Sequence, residues 1–148
     1  MSVLMCPVCR EALNLVANSW QCEKGHHYDV AKQGYANLHV VQHKHSKTPG
    51  DTPESVLARR EFLQAGFYQP LQQVMVELLQ QLKPKAVLDI GCGEGYYTHA
   101  MQPWTKHCVG VDIAKTAVQR AAKLNSRVVW VVGTGAILPV QDHSIDVC

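Results

Sequence analysis

The 148-residue sequence predicts an α/β protein, a small metal-pinned module followed by an open parallel sheet with helices laid against it. Three observations predict it. Three of the six cysteines crowd the first 22 residues. An apolar run, residues 86–90, breaks into glycines at alternate positions, Gly91, Gly93 and Gly95. Beyond it, apolar runs alternate with segments of helical period, the pattern of βαβ units.

The glycine run defines the central turn. A buried strand feeds a backbone without side chains, against which a ligand can lie. The nicotinamide version of this turn wants another glycine three residues after the second, and Tyr96 stands there instead. Asp89 lies two residues before the first glycine. In methyltransferases with the doubly wound, Rossmann-like fold, such a turn cradles the methionine end of S-adenosylmethionine, and the carboxylate can meet its cationic amino group. The alternative is a plain strand-to-helix turn.

An acid about 20 residues further on, at the end of the next strand, would accept the ribose hydroxyls. Asp112 holds that place. It closes the run Cys108–Asp112 and precedes a helix with Ile113, Ala117, Ala121 and Leu124 along one face. Taken alone, Asp112 reads as a helix cap; paired with the glycine turn, it reads as the ribose acid. A third strand is expected over residues 127–132. Thr134 follows where many methyltransferases carry an Asp for the adenine amino group, and its hydroxyl or backbone can serve, although a simple loop fits as well. Residues 144–148 read as the entry to a fourth strand, so the sheet is expected to be truncated after about four strands. Its open edge predicts dimerisation or aggregation.

Composition narrows the class. Hydrophobic residues make up 47%, enough for a core. No apolar run approaches the roughly 20 residues that cross a membrane. Cys6 and Cys9 follow the first methionine with no charged and apolar leader, and the clustered cysteines suit a reducing compartment, so a soluble cytoplasmic protein is expected. Residues 1–60 hold seven Lys or Arg against five Asp or Glu, and five of the eight histidines. Positive charge at the front favours a polyanionic partner.

Cys6-Pro7-Val8-Cys9 offers two thiolates on a loop short enough to grip one tetrahedral ion. Cys22 and His26 offer the second pair; His27 competes with His26, and the flexible Gly25 favours His26. Two short strands around an Asn-Ser turn are expected in between, over residues 12–20. Three sulfurs and one imidazole make a closed, structural zinc site. So small a module cannot bury enough apolar surface to fold alone, and metal would supply much of its stability. Unpaired or disulfide-linked cysteines are the alternative.

The divisions expected are therefore a module over 1–38, a basic linker over 39–51 and a sheet domain over 52–148. In the linker, Lys44, Lys47 and the histidines suit phosphate contacts or solvent equally. Asp51-Thr52-Pro53-Glu54 reads as a helix start capped by Asp51, and the helix carries Arg59 and Arg60, either phosphate contacts or solvent-facing residues, to an end near Gly66. Pro70 opens a second helix whose Leu71, Val74, Met75, Leu78, Leu79 and Leu82 stripe reads as core. Tyr68, between the helices, falls near the glycine turn and can cover a cofactor or simply pack.

The order of parts resembles the bacterial 23S ribosomal RNA guanine-N1 methyltransferases, which include tylosin-resistance enzymes. The resemblance lies in Cys6-Pro7-Val8-Cys9, Cys22 to His26, the segment Tyr28–Leu38, Gln42-His43-Lys44, Pro49-Gly50-Asp51, Ala58-Arg59-Arg60, Phe67-Tyr68-Gln69-Pro70 and residues 87–98. It implies zinc ligation by Cys6, Cys9, Cys22 and His26, and a ribbon that helps recognise an RNA hairpin. It also implies Tyr68, Gly93 and Glu94 at S-adenosylmethionine, with Asp112 on the ribose. Family members are considerably longer. The reaction implied is attack of guanine N1 on the sulfonium methyl, which needs the base unpaired or turned out of its helix and its N1 proton removed. No residue is assigned that removal. A zinc-ribbon RNA-binding protein with an inactive cofactor half, or a small-molecule methyltransferase carrying a ribbon, would use the same residues; S-adenosylmethionine and RNA binding separate the three.

Overall fold

A computed structural model describes residues 3–40 and 50–148. The expected basic contacts at Lys44 and Lys47, and the Gln42-His43-Lys44 element, lie outside the described residues. Three short antiparallel strands form the first sheet: β1 (Asn14–Val16), β2 (Ser19–Gln21) and β3 (His27–Asp29). The β1–β2 turn is Ala17-Asn18, one residue earlier than expected, because Val16 pairs with Ser19 and Ala17 takes the left-handed conformation (φ 53°).

The second sheet is parallel. It contains β4 (Tyr35–Asn37), β5 (Ala86–Ile90), β6 (His107–Asp112) and β7 (Val129–Val132) in the order β4-β7-β6-β5. Segment 28–38 thus divides: β3 stays with the metal-binding module, while β4 extends the sheet by pairing Tyr35 with Trp130 and Asn37 with Val132. At the opposite edge Val147 bridges Val87, and the Leu88 N–H donates to the Val147 carbonyl at 2.9 Å. Residues 144–148 thus meet the sheet edge at Asp146 and Val147, as an isolated parallel bridge with bonds to Ala86 and Leu88 and not as a full strand.

Helices α1 (Pro53–Gln64), α2 (Gln69–Leu82), α3 (Tyr96–Met101) and α4 (Lys115–Leu124) complete the architecture. The cap of α1 is Thr52 and not Asp51. The Thr52 hydroxyl accepts the Ser55 N–H at 3.2 Å, while Asp51 pairs with Arg59 at 2.9 Å. Proline in the first turn suits a position whose N–H would lack an intrahelical partner.

Strand register sorts the side chains onto two faces. One face carries Leu88, Val109, Val111, Val131 and Ala36, and these share a core with Leu4, Cys6, Leu13 and Cys22. The metal-binding module is therefore a cover for this face. Backbone bonds seal the join: Met5 N–H to the Pro139 carbonyl and Gln141 N–H to the Val3 carbonyl, both at 2.9 Å. The other face carries Tyr35, Cys108, Trp130 and Val132 under Val118, Ala121 and Ala122 of α4. Leu124, expected on the buried side of α4, is exposed, since Ala117, Val118, Ala121 and Ala122 form that side.

The stripe on α2 also departs from expectation. Leu79 packs with Val87 and Met101, with Met75 beside it. Leu71, Val74, Leu78 and Leu82 stay 48–63% exposed. The apolar arc of α2 is wider than its contact, because only its Met75–Leu79 edge reaches β5 and α3. Among the described residues, no helix is long and apolar enough to cross a membrane.

Candidate cofactor cleft and metal centre

Parallel pairing sets Asp89 opposite Gly110, and Asp112 lies two residues beyond Gly110, so both acids fall on one face of the sheet. Above them, Gly91, Gly93 and Gly95 all have positive φ, of 75°, 55° and 81°. A side chain at Gly91 or Gly93 would meet no atom within 4 Å; these two glycines present bare backbone to open space. Gly95 differs. A Cβ there would lie 2.6 Å from the Trp130 ring and 2.8 Å from His99.

Asp112 ties the turn to the next helix. Its Oδ2 accepts the Gly93 N–H at 2.8 Å and its Oδ1 accepts the Ala114 N–H at 2.7 Å. Each oxygen keeps a further lone pair for a ligand. Asp89 sits behind the turn, where the Thr98 hydroxyl donates to its Oδ2 at 2.5 Å. Burial raises its pKa above the ordinary carboxylate value; the Thr98 bond opposes this and the Asp112 charge adds to it. Beside them, burial pushes the Cys92 thiol well above its usual range, so Cys92 is a neutral packing group.

A raised acid pKa carries a definite stability sign. The folded state takes up the Asp89 proton at a higher pH than the unfolded chain, so ionised Asp89 costs stability above the ordinary carboxylate pKa. Asp89→Asn should therefore raise Tm at pH 7, and the gain should vanish below pH of about 4. Paired thermal melts across that range measure it; a loss at pH 7 would contradict the assignment.

In front of the turn lies a cleft of about 500 Å³ between α1 and the sheet. Tyr68, Gly91, Gly93, Glu94 and Asp112 line it, together with Arg60 and Phe62; Asp89, Gly95 and Thr134 do not. Tyr68 stands edge-on to Phe62, with ring centroids 5.6 Å apart. The Thr134 hydroxyl accepts the Ala136 N–H at 3.2 Å, within a tight turn bridged to Ile137.

Glu94 carries a network that sequence spacing does not reveal. Arg60 grips its carboxylate through Nε and Nη2, both at 2.5 Å, and Arg120 adds a bond at 3.1 Å. The Glu94 side chain is only 17% exposed. The network joins α1, the glycine turn and α4 around the cleft. Arg60→Ala should lower affinity for a ligand held in this cleft roughly tenfold, and Arg60→Lys should recover only part, because lysine lacks the planar fork. Calorimetry tests this, and equal affinities would show that the Arg60–Glu94 pair does not support binding in the cleft. No sequence pattern singles out His99, Thr98 or Trp130 either. Burial holds His99 below the ordinary histidine pKa, and its Nε2 meets the Glu94 carbonyl at 3.2 Å.

The second site is the metal centre. Two turns converge on it, each with a left-handed residue, Arg10 (φ 63°) after Cys9 and Gly25 (φ 83°) after Cys22. Cys6, Cys9, Cys22 and His26 bring their ligand atoms within 4.8 Å of one another. The His26 Nδ1 lies 3.6 Å from the Cys6 sulfur and 3.4 Å from that of Cys22; the Cys9 and Cys22 sulfurs are 3.6 Å apart. Tetrahedral zinc with arms of about 2.3 Å to sulfur needs edges near ~3.8 Å, so the donor set fits. His27 turns away, its Nδ1 3.2 Å from the Gly25 carbonyl. The Tyr28 hydroxyl lies 3.4 Å from the Cys6 sulfur, a bond from outside the ligand set that orients it.

Comparison with known proteins bears on both sites. A zinc-ribbon family model described as "RlmA, N-terminal" matches residues 4–47, and one described as "Methyltransferase domain" matches residues 87–148. This chain carries an RlmA-type zinc ribbon and a methyltransferase domain. A 23S rRNA (guanine(748)-N(1))-methyltransferase of Streptomyces fradiae is 34% identical, over 84% of this chain and 45% of that protein. A protein of Micromonospora griseorubida, provisionally named a 23S rRNA (guanine-N(1)-)-methyltransferase, is 31% identical, over 97% of this chain and 56% of its own length. The chain thus spans about half the length of the curated relatives it matches. The solved structure of the plantazolicin methyltransferase BpumL in complex with SAH matches with a TM-score of 0.51 at 20% identity. That match covers 64% of this chain and 39% of BpumL, and it shows the fold. In the zinc ribbon of this chain the cysteines sit at the base of the fold, packed against the methyltransferase sheet.

Proposed function

We propose that this chain binds S-adenosylmethionine at the glycine turn and takes part in methylating guanine N1 in a hairpin of 23S ribosomal RNA. The observation that carries the reading is the cleft itself: bare backbone at Gly91 and Gly93 beside an Asp112 carboxylate fixed by two N–H groups. Asp112 takes ribose hydroxyls there, and Tyr68 covers the cofactor. Asp89 and Asp112 make the back of the turn electronegative, which favours a ligand bearing an ammonium and a sulfonium. When bound, S-adenosylmethionine supplies an electrophilic methyl group for N1, with the N1 proton leaving. The contribution of these residues is orientation. The Cys6, Cys9, Cys22 and His26 site holds zinc as a closed structural ion, and the ribbon it shapes faces RNA. The names of the S. fradiae and M. griseorubida relatives support the RNA substrate.

Calorimetry with S-adenosylmethionine and incubation of a 23S hairpin with labelled cofactor test the two halves. Wild-type chain should bind the cofactor, and Asp112→Asn should weaken binding by at least about tenfold, since one of its two N–H partners would face an NH₂ group. Label should appear at guanine N1. Absence of cofactor binding would end the methyltransferase reading, and label on a small molecule but not on RNA would replace its substrate.

A further inference from the structure

The end of the sheet remote from the glycine turn carries a feature that the cofactor cleft does not use. A hollow of about 360 Å³ opens between the end of α2 and the turn before β6. Leu79, Pro84, Pro103 and the Trp104 indole form its walls, and Lys83 and Lys106 stand at its rim. Trp104 is 44% exposed, unusual for so large an apolar ring. Lys85, just before β5, and His107, the first residue of β6, are both exposed. None of the ion pairs among the described residues engages these lysines. The nearby Asp146 is occupied by backbone, its Oδ2 accepting the Lys85 and Ala86 N–H groups at 2.8 and 2.9 Å.

The frame is rigid. The Thr105 hydroxyl bonds the Lys85 and His107 carbonyls, each at 3.0 Å, and the His107 N–H donates to the Lys85 carbonyl at 2.8 Å. Lys83 is held left-handed (φ 49°, ψ 52°) with its N–H on the Leu79 carbonyl at 2.8 Å. Glycine would occupy that backbone position without strain. A lysine there accepts the strain and places a cation beside the tryptophan. Favourable interaction with the carbonyl end of α2 accounts for a cation at Lys83, but not for the open indole or for Lys106 across the hollow.

We infer that this hollow is a second RNA contact: an unpaired base stacks on Trp104 while flanking phosphates meet Lys83 and Lys106. Exposed aromatic and flanking cations are the combination that holds single-stranded nucleic acid without reading its sequence. The five residues of β5 separate the hollow from the glycine turn, about 17 Å at ~3.3 Å per residue, so the RNA held here flanks the target guanine and is not the target itself. The inference rests on the RNA reading above.

The test measures hairpin affinity against salt, with intrinsic tryptophan fluorescence as a second readout, on the metal-loaded chain. Trp104→Ala should weaken binding by about tenfold or more. Lys83→Gln with Lys106→Gln should flatten the slope of log K against log salt by about two contacts' worth. RNA should quench fluorescence in the wild type and much less in Trp104→Phe, which keeps an aromatic, apolar side chain and so guards against misfolding. S-adenosylmethionine affinity should be unchanged in all three variants. If the wild type binds the hairpin but the variants match it in affinity, slope and quenching, the second contact is overturned alone. If the wild type binds no RNA, the RNA reading falls and takes this contact with it.

Discussion

Stripping the metal, or replacing Cys22 with Ser, is expected to unfold the parallel sheet together with the ribbon. Cys6 and Cys22 lie in the same buried cluster as Leu88, Val109, Val111 and Val131, and Leu4 and Leu13 fill the space between. The ribbon strands have three residues each and little core of their own. Structural zinc contributes on the order of 10–16 kcal/mol in isolated fingers, as large as the whole stability of a typical domain. Without it, the ribbon cannot hold its shape, and one face of the sheet meets water. Hydrogen exchange provides the measurement: protection over residues 107–112 and 129–132 should fall along with that over 14–29. Any thermal transition that survives should be a single one, shared by ribbon and sheet, at a much lower Tm. A sheet that stays protected while the ribbon alone exchanges would refute the shared core.

Gly110→Ala is the second large effect. A Cβ at Gly110 would lie 2.6 and 2.7 Å from Trp130 ring carbons and 3.2 Å from the Cys92 sulfur. The ring has little freedom to move, because it is buried, its Nε1 donates to the Asn125 carbonyl at 2.7 Å, and its far edge lies under Gly95. Overpacking of this kind costs about 1–3 kcal/mol and occasionally more. Displacement of the ring should propagate through Gly95 to the glycine turn, weakening cofactor binding as well. In a Trp130→Leu background, itself destabilised by the space the indole leaves, the same Gly110→Ala change should cost little. Urea titration with an unchanged m-value measures both steps. Equal costs in the two backgrounds would show that the ring and the glycine do not compete for space.

The parts legible in the chain are those set by residues close together along it. Three glycines after an apolar run specify a bare turn, and the spacing from there to Asp112 places an acid at the tip of the next strand. Cys6-Pro7-Val8-Cys9 specifies a metal-gripping loop. Local spacing also misleads by a single step: Thr52, not Asp51, caps α1 because the chain enters the helix one residue later, freeing Asp51 for Arg59. The stripe on α2 is legible as amphipathic, but its sequence does not say how many neighbours are available to cover it, and only the Met75–Leu79 edge finds them.

What the sequence by itself determined is the chemistry on offer: a bare turn between two acids, three thiols with a choice of two adjacent histidines, and the alternation of strand and helix from residue 86 onward. Only tertiary structure decided which distant groups share a space. Three residues, Tyr35–Asn37, carry too little pattern to announce that they join β7. No local rule pairs Glu94 with Arg60 and Arg120, or seats Trp130 under Gly95 and Gly110. Periodicity and spacing describe a chain over a few turns, where geometry is set by bonded neighbours. Register, ion pairing and packing across tens of residues are chosen by burial and shape, which exist only once the whole chain has folded.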